Sequence, residues 1–291
     1  MRYRLALSIR YHFDRPAGAA RQVLRICPAD LAQAQTVRNC TVTVVPAPLE
    51  RETWTDFFGM QAIAVALPAG LTDLRFDMTA DVLRKPPAPC ADLSVPLGGL
   101  AAELSAQTGL DAGSPHHFLA PSPRIPDVPA ITRFARTAVV GALTTRAAVE
   151  ALGRALHDTM RFDSAATDVD TPIALAFEGR HGVCQDFSQI MVAGLRSLGV
   201  PAAYVSGFLR TLPPPGKPRL KGADAMHAWV RAWAGGKAGW IDYDPTNACF
   251  ASSDHVTIGY GRDYSDTAPV TGMLRLDGAH SGSHSVDMEE I

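Results

Sequence analysis

Residues 182–201 read GVCQDFSQIMVAGLRSLGVP, and the fold of this chain is decided there. Phe187, Ile190, Met191, Leu195 and Leu198 recur at spacings of three and four, which lines one face of a helix running from Cys184 to Leu198. Gly199 and Pro201 end it, because glycine supplies the turn and proline cannot continue a helix. At the other end Gly182 precedes the first turn, and Cys184 falls within that turn. The N–H groups there have no intrahelical acceptor and carry a partial positive charge, a setting that stabilises a thiolate. Cys184 is either a nucleophile or a small apolar side chain packed at a helix start.

Downstream, strands are expected over Ala202 to Leu209, His227 to Trp233 and Gly239 to Tyr243, the last two alternating with period two. His227 and Trp229 share one face of their strand, and Asp242 and Asp244 share one face of theirs. A hairpin turning at Gly235-Gly236 sets His227 directly across from Asp244, with Cβ atoms about 5 Å apart. A turn spanning more of Ala234 to Gly239 gives another register. A thiol at a helix end, an imidazole and a carboxylate form a nucleophile–base–orienter set, whose chemistry is acyl transfer. The backbone N–H of Cys184 is the natural oxyanion donor. Trp229, Trp233 and Trp240 either line an acyl groove or pack the core.

Upstream, helices are expected at Ala130 to Ala138, at Thr145 to Met160 with Ala148, Leu152, Leu156 and Met160 on one face, and at Ile173 to Phe177 after Thr171-Pro172. Helices first and antiparallel strands after make this part α+β. From Arg2 to about Leu83 the sequence alternates in short runs, such as Tyr3-Leu5-Leu7-Ile9 and Leu74-Phe76-Met78, between proline and glycine punctuation. That pattern predicts an antiparallel β-domain of sandwich type. The resulting division is a β-rich N-terminal domain over 1–120, a catalytic core over 121–276 and a disordered tail over 277–291, rich in Gly, Ser and His. Segment 85–90 is an extended connection. Proline-rich 212–218 is a candidate lid or a stiff connector.

The 291 residues carry 47% hydrophobic and 19% charged side chains and a formal net charge of -2, so there is no basic field for nucleic acid. No segment reaches transmembrane length, and the apolar run Leu5 to Ile9 is broken by Arg10 before it makes a signal core. A cytoplasmic protein with no membrane association is the expectation. Five cysteines, Cys27, Cys40, Cys90, Cys184 and Cys249, without CxxC spacing argue against a disulfide framework and a zinc site. His116, His117, His280 and His284 lack metal-ligand spacing, and no EF-hand pattern is present.

Four ordered blocks carry a resemblance. Residues 182–187, the run 196–202 with 204–207, residues 227–230, and residues 239–247 ending in Asp244-Pro245-Thr246-Asn247 resemble the bacterial transglutaminase-like superfamily. Gly261-Arg262-Asp263-Tyr264 resembles it further. Tyr11, Arg15-Pro16, Arg25-Ile26-Cys27-Pro28 and Asp56-Phe57-Phe58-Gly59 are similar to the β-rich domain preceding that core, with Met60 where Asn is usual. His181 also departs from the pattern, either as a second polar group at the site or as an exposed loop residue. The resemblance implies a papain-like transglutaminase core, with Cys184, His227 and Asp244 as the catalytic triad and Asp244 preferred over Asp242. It implies a protein or peptide substrate; without a calcium-loop pattern no metal is expected, the mechanism requires no cofactor, and because the sequence shows no second site for an amine, hydrolysis of a peptide or isopeptide amide is expected ahead of amine transfer. A partner protein on the N-terminal β-domain, or a non-catalytic binding module on the same fold, are the further alternatives.

Overall fold

A computed structural model describes residues 1–86, 91–211 and 224–291; the 212–218 lid candidate and residues 87–90 lie outside the described residues. The alternating N-terminal runs become β1 (Arg2–Ala17), β2 (Ala20–Leu24), β3 (Gln35–Val45), β4 (Glu50–Thr55), β5 (Gln61–Leu67) and β6 (Leu71–Arg84). In β1 every second residue from Tyr3 to Ile9 is buried, and β6 alternates likewise from Leu74 to Val82. A strand with one apolar face needs a second layer against it. Ala20, Leu24, Ile63, Val65 and Leu67 supply that layer, in one cluster with the β1 and β6 side chains.

The helical part follows as α1 (Leu100–Ser105), α2 (Pro129–Ala138), α3 (Thr145–Thr159), α4 (Ile173–Gly179) and α5 (Cys184–Ser197), with the short parallel pair β7 (Arg161–Phe162) and β8 (His181–Gly182) between them. Thr144 caps α3 by accepting from Ala147 N–H. Then come β9 (Ala202–Leu209), β10 (Ala225–Trp233), β11 (Trp240–Asp244), β12 (Cys249–Phe250) and β13 (His255–Gly261), an antiparallel sheet in the order β12-β11-β10-β9-β13. Helix α5 is buried along most of its length against α2, α3 and this sheet, where Ile190, Met191 and Leu195 meet Val230 and Ala232. The fold is α+β, a transglutaminase-like core preceded by an antiparallel β-domain.

The C-terminus corrects the expected division. After α6 (Tyr264–Thr267), β14 (Val270–Leu274) pairs with β2, and β15 (His280–Glu290) pairs with β1 from Phe13↔His280 to Tyr3↔Glu290. The two N-terminal sheets are therefore β15-β1-β6-β3 and β14-β2-β5-β4. Within the tail expected to be disordered over 277–291, residues His280–Glu290 form a strand. Its polar composition hid an alternation in which Val286 and Met288 enter the core, and the order comes from the edge of β1, which local sequence does not display. The boundary near residue 120 shifts too, because Leu100 with Val95, Leu97 and Leu104 packs into the helical core. Phe208, Val256 and Ile258 of the five-stranded sheet share the cluster of the β-domain, so the two parts have a continuous interior. Among the described residues no helix is long and apolar enough to cross a membrane.

Candidate active site

Cys184 opens α5. Just before it, Val183 N–H donates to Asp186 Oδ2 at 2.8 Å, and Thr167 Oγ1 donates to the same oxygen at 2.6 Å. Asp186 thus folds back over the helix start, where a carboxylate meets the positive end of the helix. Gly182 makes room for it, since a Cβ there would come within 2.5 Å of Asp186 Oδ2. Burial raises the Asp186 carboxyl above its ordinary range, against the hydrogen bonds from Thr167 and Val183. Cys184 itself stays half-exposed in a cleft, and its N–H begins the helix without an acceptor one turn back.

His227 and Asp244 come from neighbouring strands, in a register that differs from a tight hairpin. Val230 pairs with Tyr243 and Trp233 with Trp240, leaving residues 234–239 as a longer turn with Gly235 and Gly239 at positive φ. In this register Trp229, not His227, stands opposite Asp244. The shift is two residues, so the alternation of faces is preserved and His227 and Asp244 remain diagonal neighbours on one face. His227 Nε2 and Asp244 Oδ2 are 2.8 Å apart. Beside them Trp229 is fully buried, its ring near that of His227, and the position across from His227 in β9 is Gly207. A Cβ on Gly207 would reach within 2.3 Å of the Trp229 ring, so the indole lies where any other residue would stand.

Asp244 is 0% exposed and His227 8%. Two backbone donors, Thr246 N–H at 2.9 Å and Asn247 N–H at 3.1 Å, bind Asp244 Oδ1, while Asn247 Nδ2 donates to Oδ2 at 2.7 Å. A second imidazole completes the set, with His255 Nε2 at 3.1 Å from Asp244 Oδ2. Ser252 N–H donates to His255 Nδ1 at 3.2 Å, which leaves the proton of that ring on Nε2, pointing at the carboxylate. Burial alone opposes ionisation of Asp244, but the hydrogen bonds from His227, His255 and Asn247 outweigh it and hold the carboxyl well below the usual range. Burial likewise opposes a charged His227, yet its bonds to Asp244 and to Cys184, with the charges of both, raise its pKa to about 10. With Nε2 engaged by Asp244, the Cys184 side of the ring is Nδ1.

His227, Asp244 and His255 also have metal-ligand spacing, their ligand atoms all lying within 4.8 Å of one another. The lone pairs are already in use: Asp244 accepts from five donors and His255 Nδ1 from Ser252, so the cluster closes on itself by hydrogen bonding.

Other sequence candidates fall elsewhere. Asp242 pairs with Arg231 at 3.4 Å. His181 sits in the β7–β8 pair, outside the cleft lining. Trp229, Trp233 and Trp240 pack in cores rather than along a groove. His116 and His117 bond backbone carbonyls of residues 107–111. His255 was not singled out by sequence reasoning. The only signal was its place at the head of the alternating run His255-Val256-Thr257-Ile258, and nothing local ties it to Asp244 eleven residues earlier.

Comparison with known proteins places this chain in a family. Residues 132–245 match the Transglutaminase-like superfamily, and residues 3–83 match the Bacterial transglutaminase-like N-terminal region. An uncharacterized protein of Mycobacterium tuberculosis is 31% identical over 254 residues, 82% of this chain and 77% of that protein. Another, from Mycobacterium leprae, is 35% identical over 149 residues, 50% of this chain and 49% of its own length. The crystal structure of a candidate cysteine protease from Cytophaga hutchinsonii superposes with a TM-score of 0.75 at 21% identity, over 99% of this chain and 90% of that one. The chain belongs to the transglutaminase-like superfamily.

Proposed function

We propose that this protein is a cysteine-nucleophile acyl-transfer enzyme that hydrolyses a peptide or isopeptide amide. The observation that carries the reading is the 2.8 Å contact of His227 Nε2 with buried Asp244, in a cleft that also holds Cys184 at the start of α5. Cys184 Sγ attacks the amide carbonyl, and the Cys184 N–H is positioned to bond the oxygen that becomes negative. His227, protonated while Asp244 is ionised, gives its proton to the leaving amine. The acyl group is then held as a thioester on Cys184. Water, deprotonated by His227, attacks the thioester and returns the thiol. Asp244 keeps the ring oriented throughout and takes no proton.

Water is the acceptor favoured here because the cleft opens onto exposed residues Gly282, Ser283 and His284. Transfer to an amine requires a second site that shuts water out. The test is incubation with a mixture of unrelated peptides, with mass spectrometry of both products and protein. The expected result is cleavage in wild type and none in Cys184→Ala, with an acyl adduct on Cys184 after acid quench. A product joined to an added primary amine, in preference to a hydrolysed one, would instead assign amine transfer.

A further inference from the structure

The strand read from sequence as a loose tail forms one wall of the catalytic cleft. Asp224, just before β10, bridges antiparallel to Val286 of β15, and Met288 N–H donates to Asp224 Oδ2 at 2.6 Å. From that bridge β10 runs toward His227 while β15 runs back toward Gly282, so residues 282–284 arrive beside the site. The cleft between them has a volume of about 580 Å³. Ile9 and Tyr11 of β1, the register partners of His284 and Gly282, belong to the same wall, and Tyr204, Tyr264 and Val270 line the cleft as well.

The chemistry of this lining is one-sided. Among the described residues no Asp, Glu, Lys or Arg borders the cleft, and the groups there that can titrate are tyrosines, His284 and the candidate catalytic pair itself. A charged side chain entering it gives up part of its hydration without an Asp, Glu, Lys or Arg of the described lining to pair with. An apolar or aromatic one gains contact with three tyrosine rings. Gly282 brings no side chain to the cleft, and the Tyr11 ring lies 3.5 Å from where its Cβ would be.

We infer that the cleft seats an uncharged, apolar or aromatic residue of a peptide next to the scissile carbonyl, with β15 as the wall that selects it. The inference rests on the proposed acyl transfer for the meaning of the cleft, and it deepens that reading by naming the substrate class.

The test reads binding without the nucleophile. N-acetyl pentapeptide amides differing only in the central residue (Phe, Leu, Asp or Lys) are titrated calorimetrically into Cys184→Ala protein. Phe and Leu peptides are expected to bind at least tenfold tighter than Asp and Lys peptides. Gly282→Leu in the same background is expected to weaken the Phe peptide at least tenfold, its added side chain entering space in ordinary contact with Tyr11. His284→Glu, at an exposed position that the fold tolerates, is expected to turn the preference toward the Lys peptide. Equal binding of all four peptides, no binding of any, or no effect of either substitution overturns the inference. Iodoacetamide labelling of Cys184 in wild type reads the nucleophile separately, so a selective cleft with an inert thiol sinks the proposed reaction alone, and a reactive thiol with an unselective cleft sinks this inference alone.

Discussion

His255 Nε2 lies 3.1 Å from Asp244 Oδ2, the same carboxylate oxygen that His227 Nε2 meets at 2.8 Å. One carboxylate is thus held between two imidazoles, of which only His227 reaches the cleft. His255 is a positioning residue: it fixes the rotamer of Asp244, and Asp244 fixes the ring of His227. Replacing it with Phe removes a hydrogen bond to a charged group, worth about 1.5–3 kcal/mol. The expected cost is about 10- to 100-fold in peptide hydrolysis, appearing in kcat rather than KM. His255→Gln, whose amide can still donate to Asp244, recovers part of it. Equal kcat for wild type and His255→Phe would show that the second imidazole only fills space.

The raised pKa of His227 gives a pH dependence with a definite sign. Its folded value, about 10, lies above the ordinary 6.5, so protonated His227 stabilises the fold fully below about pH 6.5. That contribution declines as pH rises from there through 10. Asp244 acts at the other end, its depressed carboxyl stabilising the fold above the ordinary 3.8 and losing that effect as pH falls through the folded value. The difference in urea midpoint between wild type and His227→Gln is therefore expected to shrink steadily between about pH 6.5 and 10. The basic limb of peptide hydrolysis is expected near pH 10. A midpoint difference that widens with pH contradicts the ion-paired assignment.

Arg196 ties the C-terminal end of α5, the end opposite Cys184, to its surroundings. Its guanidinium donates to Ala202 O through Nε and Nη2 at 3.1 and 2.9 Å, to Ala120 O at 3.0 Å and to Arg262 O at 2.6 Å. Carbonyls of three segments meet on one side chain, and burial lowers its pKa to about 10. Arg196→Met leaves these carbonyls without their donor and is expected to destabilise by about 3–5 kcal/mol. Arg196→Lys recovers little, because an ammonium cannot span the fork. Urea denaturation of the three proteins checks this. A loss under about 1 kcal/mol for Met would mean that water replaces the guanidinium.

Gly182 couples the loop before α5 to the thiol. Adding a methyl in Gly182→Ala pushes on Asp186 Oδ2 and breaks the cap to Val183 N–H, at a cost of about 1 kcal/mol. The larger effect is expected on Cys184, whose iodoacetamide labelling should slow severalfold while circular dichroism is unchanged. Unaltered labelling would show that the helix start holds its place without the Asp186 cap.

Much of this protein is written in local sequence. The periodicity of residues 184–198 specifies α5, glycine and proline mark its ends, and two-residue alternation specifies β1 and β6, because side-chain spacing on helices and strands is a property of a few consecutive residues. The ordered blocks around Cys184, His227 and Asp244 were legible for the same reason. Tertiary structure decided the rest. The register of β10 on β11 depended on how the glycines of 234–239 turn, and the parity of the alternation kept His227 and Asp244 on one face despite a two-residue shift. The strand β15 exists because β1 offers it an edge far away in sequence, with Phe13 paired to His280 and Tyr3 to Glu290, and its composition carries no sign of that edge. His255 joins Asp244 only once β13 has crossed to the far side of β9, since pairing between strands brings together residues whose own neighbours say nothing of each other.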